Sequence, residues 1–318
     1  MTLLPILPME TPLSISIVIP TYNEPERLLA ALRSLALQDY PAKAIEIIVV
    51  DDASPVFHPE LYSQAAAPFP LRLIRHSINQ GRARTRNTGI RAASGEVVLF
   101  LDSDMTVEPG FLRAHARAHR QAGTVAIGHI RFGPQVPANC LTHYLDSRGV
   151  RRFPEGEVVP FKCFVTGNSS VRREQLLRVG LFDEDFTAYG GEDLALGYRL
   201  HLDGALFRFA GQARSLHHHL RPFRQHCQLM YTYGQHSIPV LLGKRPALAP
   251  LLRLDILSGP FFSFRRLFFQ VALLPAVYYP IRWAVEILLR WYVPGLCFDY
   301  LWWYNRTRGY LETTRPTR

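Results

Sequence analysis

Short apolar runs alternate with longer amphipathic stretches through the first two thirds of the chain. Residues 15–19 form an apolar run that stops at Pro20, and residues 45–50, 71–74 and 97–101 repeat the pattern. Apolar runs this short, bounded by polar residues, predict buried strands. Between them, residues 24–37 carry Leu28, Leu29, Leu32 and Leu35 on one stripe, and residues 80–93 read as a basic helix. Strands alternating with helices predict βαβ units and a parallel sheet, with right-handed crossovers. A further helix follows Pro109, then a strand near 125–130, a helix over 194–202 and a short strand over 206–209. Residues 131–160 have weak periodicity and many Pro and Gly, which predicts a long loop. Beyond about residue 220 long helices and aromatics take over. The organisation expected is an α/β domain over 1–220 followed by a helical region over 221–318.

Composition narrows this picture. The chain has 318 residues, 48% hydrophobic and 19% charged, and a net charge of +10. A basic surface suits nucleic acid, a membrane or an anionic substrate. No nucleic-acid motif accompanies the charge, so the last two are favoured and no nucleic-acid partner is expected. Cys140, Cys163, Cys227 and Cys297 are scattered with no Cys-x-x-Cys pair, which predicts buried thiols in a reducing compartment. No charged n-region precedes an apolar h-region at the N-terminus, so no signal peptide is expected.

The candidate chemistry lies where the predicted strands end. Residues 97–101 run straight into Asp102-Ser103-Asp104. In an open α/β sheet, ligands bind beyond the carboxyl ends of the strands. Residues i and i+2 of an extended segment point the same way, and two adjacent carboxylates repel unless a cation sits between them. Mg2+ or Mn2+ takes oxygen ligands of this kind and holds phosphates. Pro20-Thr21-Tyr22-Asn23-Glu24 ends the first strand, where a ring can stack on a base. Asp51-Asp52 ends the second, where a carboxylate can accept the imide N–H of uracil. The helix over 80–93 carries Arg82, Arg84 and Arg86. Arg binds phosphate in a fork, but Arg84 and Arg86 cannot both face one ligand on a regular helix.

In this order, the strand with Pro-Thr-Tyr-Asn-Glu, then Val-Asp-Asp-Ala-Ser, Asn-x-Gly-x-Ala-x-x-Arg-Asn and Leu-Asp-Ser-Asp resemble the family 2 glycosyltransferases of GT-A fold, over roughly residues 14–220. The resemblance implies a nucleotide-sugar donor, a divalent metal (Mn2+ or Mg2+) and transfer of the sugar to an acceptor. On that pattern Pro20, Thr21, Tyr22, Glu24 and Asp52 match nucleoside-binding positions, and Arg86 lies near the diphosphate. Asp102, Ser103 and Asp104 match the Asp-x-Asp motif, with Asp104 the direct metal ligand. The segment with Gly167 and Asn168 resembles the one lining donor sugar and acceptor. Tyr189-Gly190-Gly191-Glu192-Asp193 resembles the acceptor motif, with Asp193 as general base and Glu192 orienting the acceptor. Positioned bases typically contribute about 10^2 to 10^4 in rate. Of His217-His218-His219, His217 and then His219 are expected to complete the metal site.

The resemblance implies an inverting, metal-dependent glycosyltransferase acting from a nucleoside-diphosphate sugar, expected to be a UDP-sugar, to a hydroxyl acceptor on a glycan, lipid or other molecule. The Gln-x-x-Arg-Trp motif of processive synthases is absent, so single additions are expected. The alternatives are a polyprenyl-phosphate acceptor and a nucleotide-binding protein without turnover. No Gly-x-Gly-x-x-Gly turn follows the first strand, which argues against a dinucleotide oxidoreductase.

The tail from 256 to 304 is aromatic, and all four tryptophans (Trp283, Trp291, Trp302, Trp303) lie in it. Its longest charge-free run, 267–281, is shorter than the ~20 residues of a spanning helix. Interfacial helices on a membrane are expected, with packing on a second subunit as the alternative. The location expected is cytoplasmic, peripheral on the inner face of the membrane.

Overall fold

A computed structural model describes residues 12–254 and 264–314. Strands β1 (Ile15–Thr21), β2 (Ile45–Asp51), β3 (Leu71–Arg75), β4 (Val97–Leu101), β5 (Met105–Val107), β6 (Thr124–Phe132), β7 (Asn168–Arg172) and β8 (Leu206–His217) form one sheet. Its order is β3-β2-β1-β4-β7-β6-β8-β5. The first four neighbours are parallel, β7 runs antiparallel to both β4 and β6, and β6 is parallel to β8.

Alternation along the strands feeds two cores. Ile15, Ile17, Ile19, Val97 and Leu99 face one side of the sheet, and Val18, Val98 and Phe100 the other, as a period of two requires. Helix α1 (Pro25–Ala36) covers the first side with Leu28, Leu32 and Leu35, joined by α2 (Pro59–Ala66). Helix α3 (Arg82–Ala92) covers the second side, and α4 (Phe111–Ala118) returns to the first. Helices α5 (Cys140–Asp146), α6 (Arg173–Arg178) and α7 (Glu192–Leu202) follow. Leu196 and Leu200 of α7 join the second core.

Helices α8 (Phe223–Thr232), α9 (Ile238–Lys244), α10 (Phe264–Ala272), α11 (Pro275–Leu288) and α12 (Gly295–Thr314) complete the chain. Between α8 and α9 the helix widens into a π turn over Tyr233–Ser237. Here α12 crosses at backbone distance: a Cβ on Gly234 would fall 1.9 Å from the Arg306 carbonyl oxygen, and one on Gly309 2.2 Å from that of Tyr231. Overpacking against backbone has no cheap relief. Gly234→Ala is therefore expected to lower the unfolding midpoint in a urea titration, at a cost of about 1–3 kcal/mol or more.

Several expectations change. The stretch 131–160 is not one loop: β6 extends to Phe132, and α5 begins at a capping box. Asn139 Oδ1 accepts from the Leu141 and Thr142 amides at 2.9 and 3.0 Å, and Thr142 Oγ1 accepts from the Asn139 amide at 2.8 Å. That geometry satisfies amides that a helix start leaves orphaned. The strand expected over 206–209 runs to His217, through an irregular register beside Gly128 and His129. Strand β5 is only three residues long, too short for a readable pattern, and β7 carries no apolar run. Of the four thiols, all free, Cys227 alone is buried and the other three are half-buried. Within 256–304, residues 256–263 lie outside the described residues.

Candidate active site

The sheet order reverses around β1, which places the expected ligand-binding edge beyond the carboxyl ends of β1 and β4. Thr21, at the end of β1, is buried, and its carbonyl accepts the Asp52 amide at 2.9 Å. Pro20 is half-buried beside it, whereas the Tyr22 side chain is exposed and free to meet a ligand. Glu24 receives Ser103 Oγ on one carboxylate oxygen at 3.0 Å and Arg27 on the other at 2.7 Å. Ser103 thereby ties the first strand's turn to the corner after β4.

Arg86 is the hub. Being on α3 beside Arg84, it points inward while Arg84 pairs at the surface with Glu184 at 3.2 Å. Arg86 Nη2 donates to Asp102 Oδ1 at 3.0 Å and Nη1 to Glu192 Oε1 at 3.3 Å. Burial opposes its charge, but Asp102, Asp193 and Glu192 outweigh that and hold the guanidinium firmly protonated. Three acids from two distant motifs thus share one cation. Glu192 Oε2 and Arg86 Nε are buried without a hydrogen-bond partner.

Asp193 stands beside this hub at the start of α7. Its carboxylate accepts the Thr166 amide at 3.2 Å and Thr166 Oγ1 at 3.0 Å. Burial, then repulsion from Glu192, push its pKa up to about 7, against the pull of Arg86 and the Thr166 donors. A carboxylate of that basicity accepts a proton near neutrality. Gly167, next to Thr166, lies against the Asp102 corner. A Cβ there would meet Met105 Cε at 2.7 Å and Asp102 Oδ2 at 3.3 Å. Gly167→Ala is expected to displace Asp102 and cut activity at least about ten-fold, since a 1 Å misplacement costs about 10^2. Steady-state kinetics with an unchanged circular dichroism spectrum would check this.

The loop before α7 is clamped from the C-terminal side. Gly191 takes φ +96, open to glycine at no steric cost, and a Cβ there would also lie 2.7 Å from Phe186. Ser237 Oγ of the π turn donates to the Tyr189 carbonyl at 3.0 Å, and the Tyr233 ring packs on Gly190. Arg82 lies over the Tyr189 ring, 5.7 Å from its centroid. Reading the sequence missed Ser237 and Thr166 as supports, because single hydroxyls leave no pattern.

Asp104 and His217 meet where β5 pairs with the end of β8. His217 Nε2 lies 2.9 Å from Asp104 Oδ2. Burial raises the Asp104 pKa, but the His217 hydrogen bond and charge, with Arg27 and Arg221, hold it below the usual carboxylate value. Among the described residues no three His, Cys, Asp or Glu side chains gather as a complete metal cage. One carboxylate and one imidazole are a fitting protein share for a divalent ion that takes its other ligands from phosphates and water.

Two other site candidates, Asp52 and Asn168, are engaged elsewhere in the fold. Both Asp52 oxygens are taken, by the Gln80 and Gly81 amides and by His76 Nδ1, each at 2.8 Å. This carboxylate anchors the start of α3 instead of standing open to a base. Asn168 is fully buried: its Nδ2 donates to the Ala213 carbonyl at 2.8 Å and to Ser215 Oγ at 2.9 Å, and its Oδ1 lies 2.9 Å from His115 Nε2. It is a strut behind Gly167. His218 turns away to Thr106 Oγ1 at 2.6 Å. His219 has no hydrogen-bond partner among the described residues, and burial with Arg27 and Arg221 lowers its pKa.

A mostly parallel sheet flanked by helices, with acids gathered at the carboxyl ends of its strands, defines the GT-A class. The family model described as glycosyl transferase family 2 matches residues 16–178, just over half of the chain. That described as the N-terminal domain of galactosyltransferase matches residues 155–221. The chain belongs to glycosyl transferase family 2. It is 27% identical over 251 residues to the uncharacterized glycosyltransferase YfnE of Bacillus subtilis (strain 168), covering 64% of each chain. It is 30% identical over 251 residues to the pre-mycofactocin glycosyltransferase of Mycobacterium tuberculosis (strain ATCC 25618 / H37Rv), covering 75% of this chain and 50% of that one. The chain therefore spans less than two thirds of either relative. Mannosyltransferase PcManGT from Pyrobaculum calidifontis, solved with GDP-Man and Mn2+, superposes with a TM-score of 0.63 at 19% identity, over 96% of this chain and 89% of its own.

Proposed function

We propose that this protein is an inverting, divalent-metal-dependent glycosyltransferase that moves a sugar from a nucleoside-diphosphate sugar, a UDP-sugar as the first choice, to a hydroxyl acceptor. The observation that carries the reading is the Arg86 bridge, 3.0 Å from Asp102 and 3.3 Å from Glu192. It couples a corner suited to a diphosphate with a carboxylate pair suited to an acceptor. Solved structures of similar fold contain Mn2+ with GDP-Man, or UDP-GlcNAc, which supports the choice of donor class.

In this reading Asp104 and His217 hold the metal, with Asp102 facing the same phosphates. When bound, the ion offsets the charge that builds on the leaving diphosphate. Tyr22 offers its ring to the base, and Thr21 and Glu24 shape that end of the crevice. Glu192 accepts a hydrogen bond from an acceptor hydroxyl and orients it. Asp193 takes the proton of the attacking hydroxyl as the new bond forms on the face opposite the leaving group. The two Thr166 donors aim the Asp193 carboxylate. A phosphate acceptor would need no base, and so would leave the raised basicity of Asp193 without use.

The test is nucleoside diphosphate release from a panel of UDP- and GDP-sugars with Mn2+ or Mg2+, since slow hydrolysis needs no acceptor. At least one donor is expected to turn over, and EDTA is expected to stop it. A protein that binds UDP yet releases nothing from any donor would contradict the reading.

A further inference from the structure

We infer that α10, α11 and the segment leading into α12 form a docking face for an anionic lipid bilayer, lying in its interface plane. Helix α11 is apolar on two opposite sides. Tyr278 and Val285 are buried in a cluster with Phe298 and Leu301 of α12. Tyr279, Trp283 and Ile287 recur at i, i+4 and i+8 on the outer side, and all three are exposed, Trp283 at 68%. A helix apolar all round is a buried or a membrane helix; this one is buried on one side only among the described residues.

The outer stripe does not stand alone. Leu267 and Phe268 of α10 are exposed before it, and Trp291 (82%) and Leu296 (79%) after it. Patches of this kind mark an interaction surface, and Trp and Tyr with a wet end and an apolar body favour the headgroup level of a membrane.

Charge selects the occupant. Residues 264–296 contain four arginines (Arg265, Arg266, Arg282, Arg290) and one acid, Glu286, a net of +3. That acid is spent inside the fold, receiving Arg224 at 2.8 Å and Arg282 at 3.0 Å. Arg290 is exposed and has no ion-pair partner among the described residues. A two-fold dimer through this face would set like charge on like charge, whereas anionic headgroups complement it. Among the described residues no single helix is long and apolar enough to cross a membrane; the pair 266–272 and 275–288 reaches that length and apolarity only together, and it bends by 58° at its break. That shape fits helices lying in the interface.

The test is sedimentation of the full chain with phosphatidylglycerol–phosphatidylcholine vesicles and with pure phosphatidylcholine vesicles. The protein is expected to pellet with the anionic vesicles, to be released by high salt, and to show a blue-shifted tryptophan emission. The double variant Trp283→Glu/Trp291→Glu is expected to lose roughly ten-fold or more in partitioning, with its circular dichroism spectrum and donor hydrolysis unchanged. Arg290→Glu is expected to weaken binding to anionic vesicles alone. Wild-type protein that ignores vesicles, or a double variant that binds them equally well, would overturn the inference. So would a dimer in light scattering that the double variant dissociates, or vesicle binding that resists high salt and alkaline carbonate.

Discussion

Asp193→Asn is expected to lower kcat for sugar transfer by about 10^2 to 10^4, while the Kd for UDP with Mn2+ changes little. The asparagine keeps the shape and can still be held by Thr166 at 3.0 Å, but it cannot take a proton. Burial and Glu192 raise the Asp193 pKa to about 7. The base must be ionised to act, so wild-type kcat/KM is expected to rise with pH through about 7 and then level off. The variant's residual rate is expected to lack that rise. Transfer kinetics across pH, beside calorimetric UDP binding, separate the roles. A variant of near wild-type rate would indicate an acceptor that arrives already ionised, such as a phosphate.

Arg86→Met is expected to damage both stability and turnover. It leaves Glu192, whose side chain is 7% exposed, and the neighbouring Asp102 and Asp193 without their shared cation. Breaking a buried pair by removing one partner costs about 3–5 kcal/mol. In the variant Asp193 loses a cation whose attraction lowers its pKa, so its folded-state pKa rises further above the unfolded value. A carboxyl whose folded pKa lies above its unfolded value stabilises the fold below the unfolded value and loses that contribution as pH rises through the folded one. The loss of stability relative to wild type is therefore expected to be smaller near pH 5 than near pH 8, in urea titrations read by circular dichroism. Arg86→Lys restores charge but not a fork spanning two carboxylates. It is expected to recover stability in part, with activity still low.

The parallel half of the sheet was legible because β1, β2 and β4 are short apolar runs, each ending on a polar motif at the crevice. Strand β7 was hidden for a physical reason. Its sequence is Asn-Ser-Ser-Val-Arg, yet Asn168, Ser169 and Ser170 are fully buried. Asn168 and Ser170 are tolerated inside because His115 and His119 of the adjoining segment each lie 2.8 Å from Ser170 Oγ and His115 also reaches Asn168, whereas the Ser169 hydroxyl is buried without a hydrogen-bond partner. Burial holds both histidines neutral, with pKa values lowered to about 4 and about 3. A polar pattern answered by a distant polar pattern has no one-dimensional signature. Helix α5 was hidden likewise, since its apolar partner Phe298 arrives from α12. At the site, acids adjacent in sequence were readable, whereas the Asp104–His217 and Asp193–Thr166 contacts depend on segments brought together only by the sheet.

Asp104 and His217 are proposed to hold the cation that carries the diphosphate. The most direct measurement is calorimetric titration of UDP into wild-type protein and into Asp104→Asn, each with Mn2+ and with EDTA. Wild-type affinity is expected to rise with Mn2+ by roughly ten-fold or more, about 1.4 kcal/mol, and Asp104→Asn to lose that gain. Equal UDP affinity with Mn2+ and with EDTA in the wild type, or a full Mn2+ gain in the variant, would contradict it.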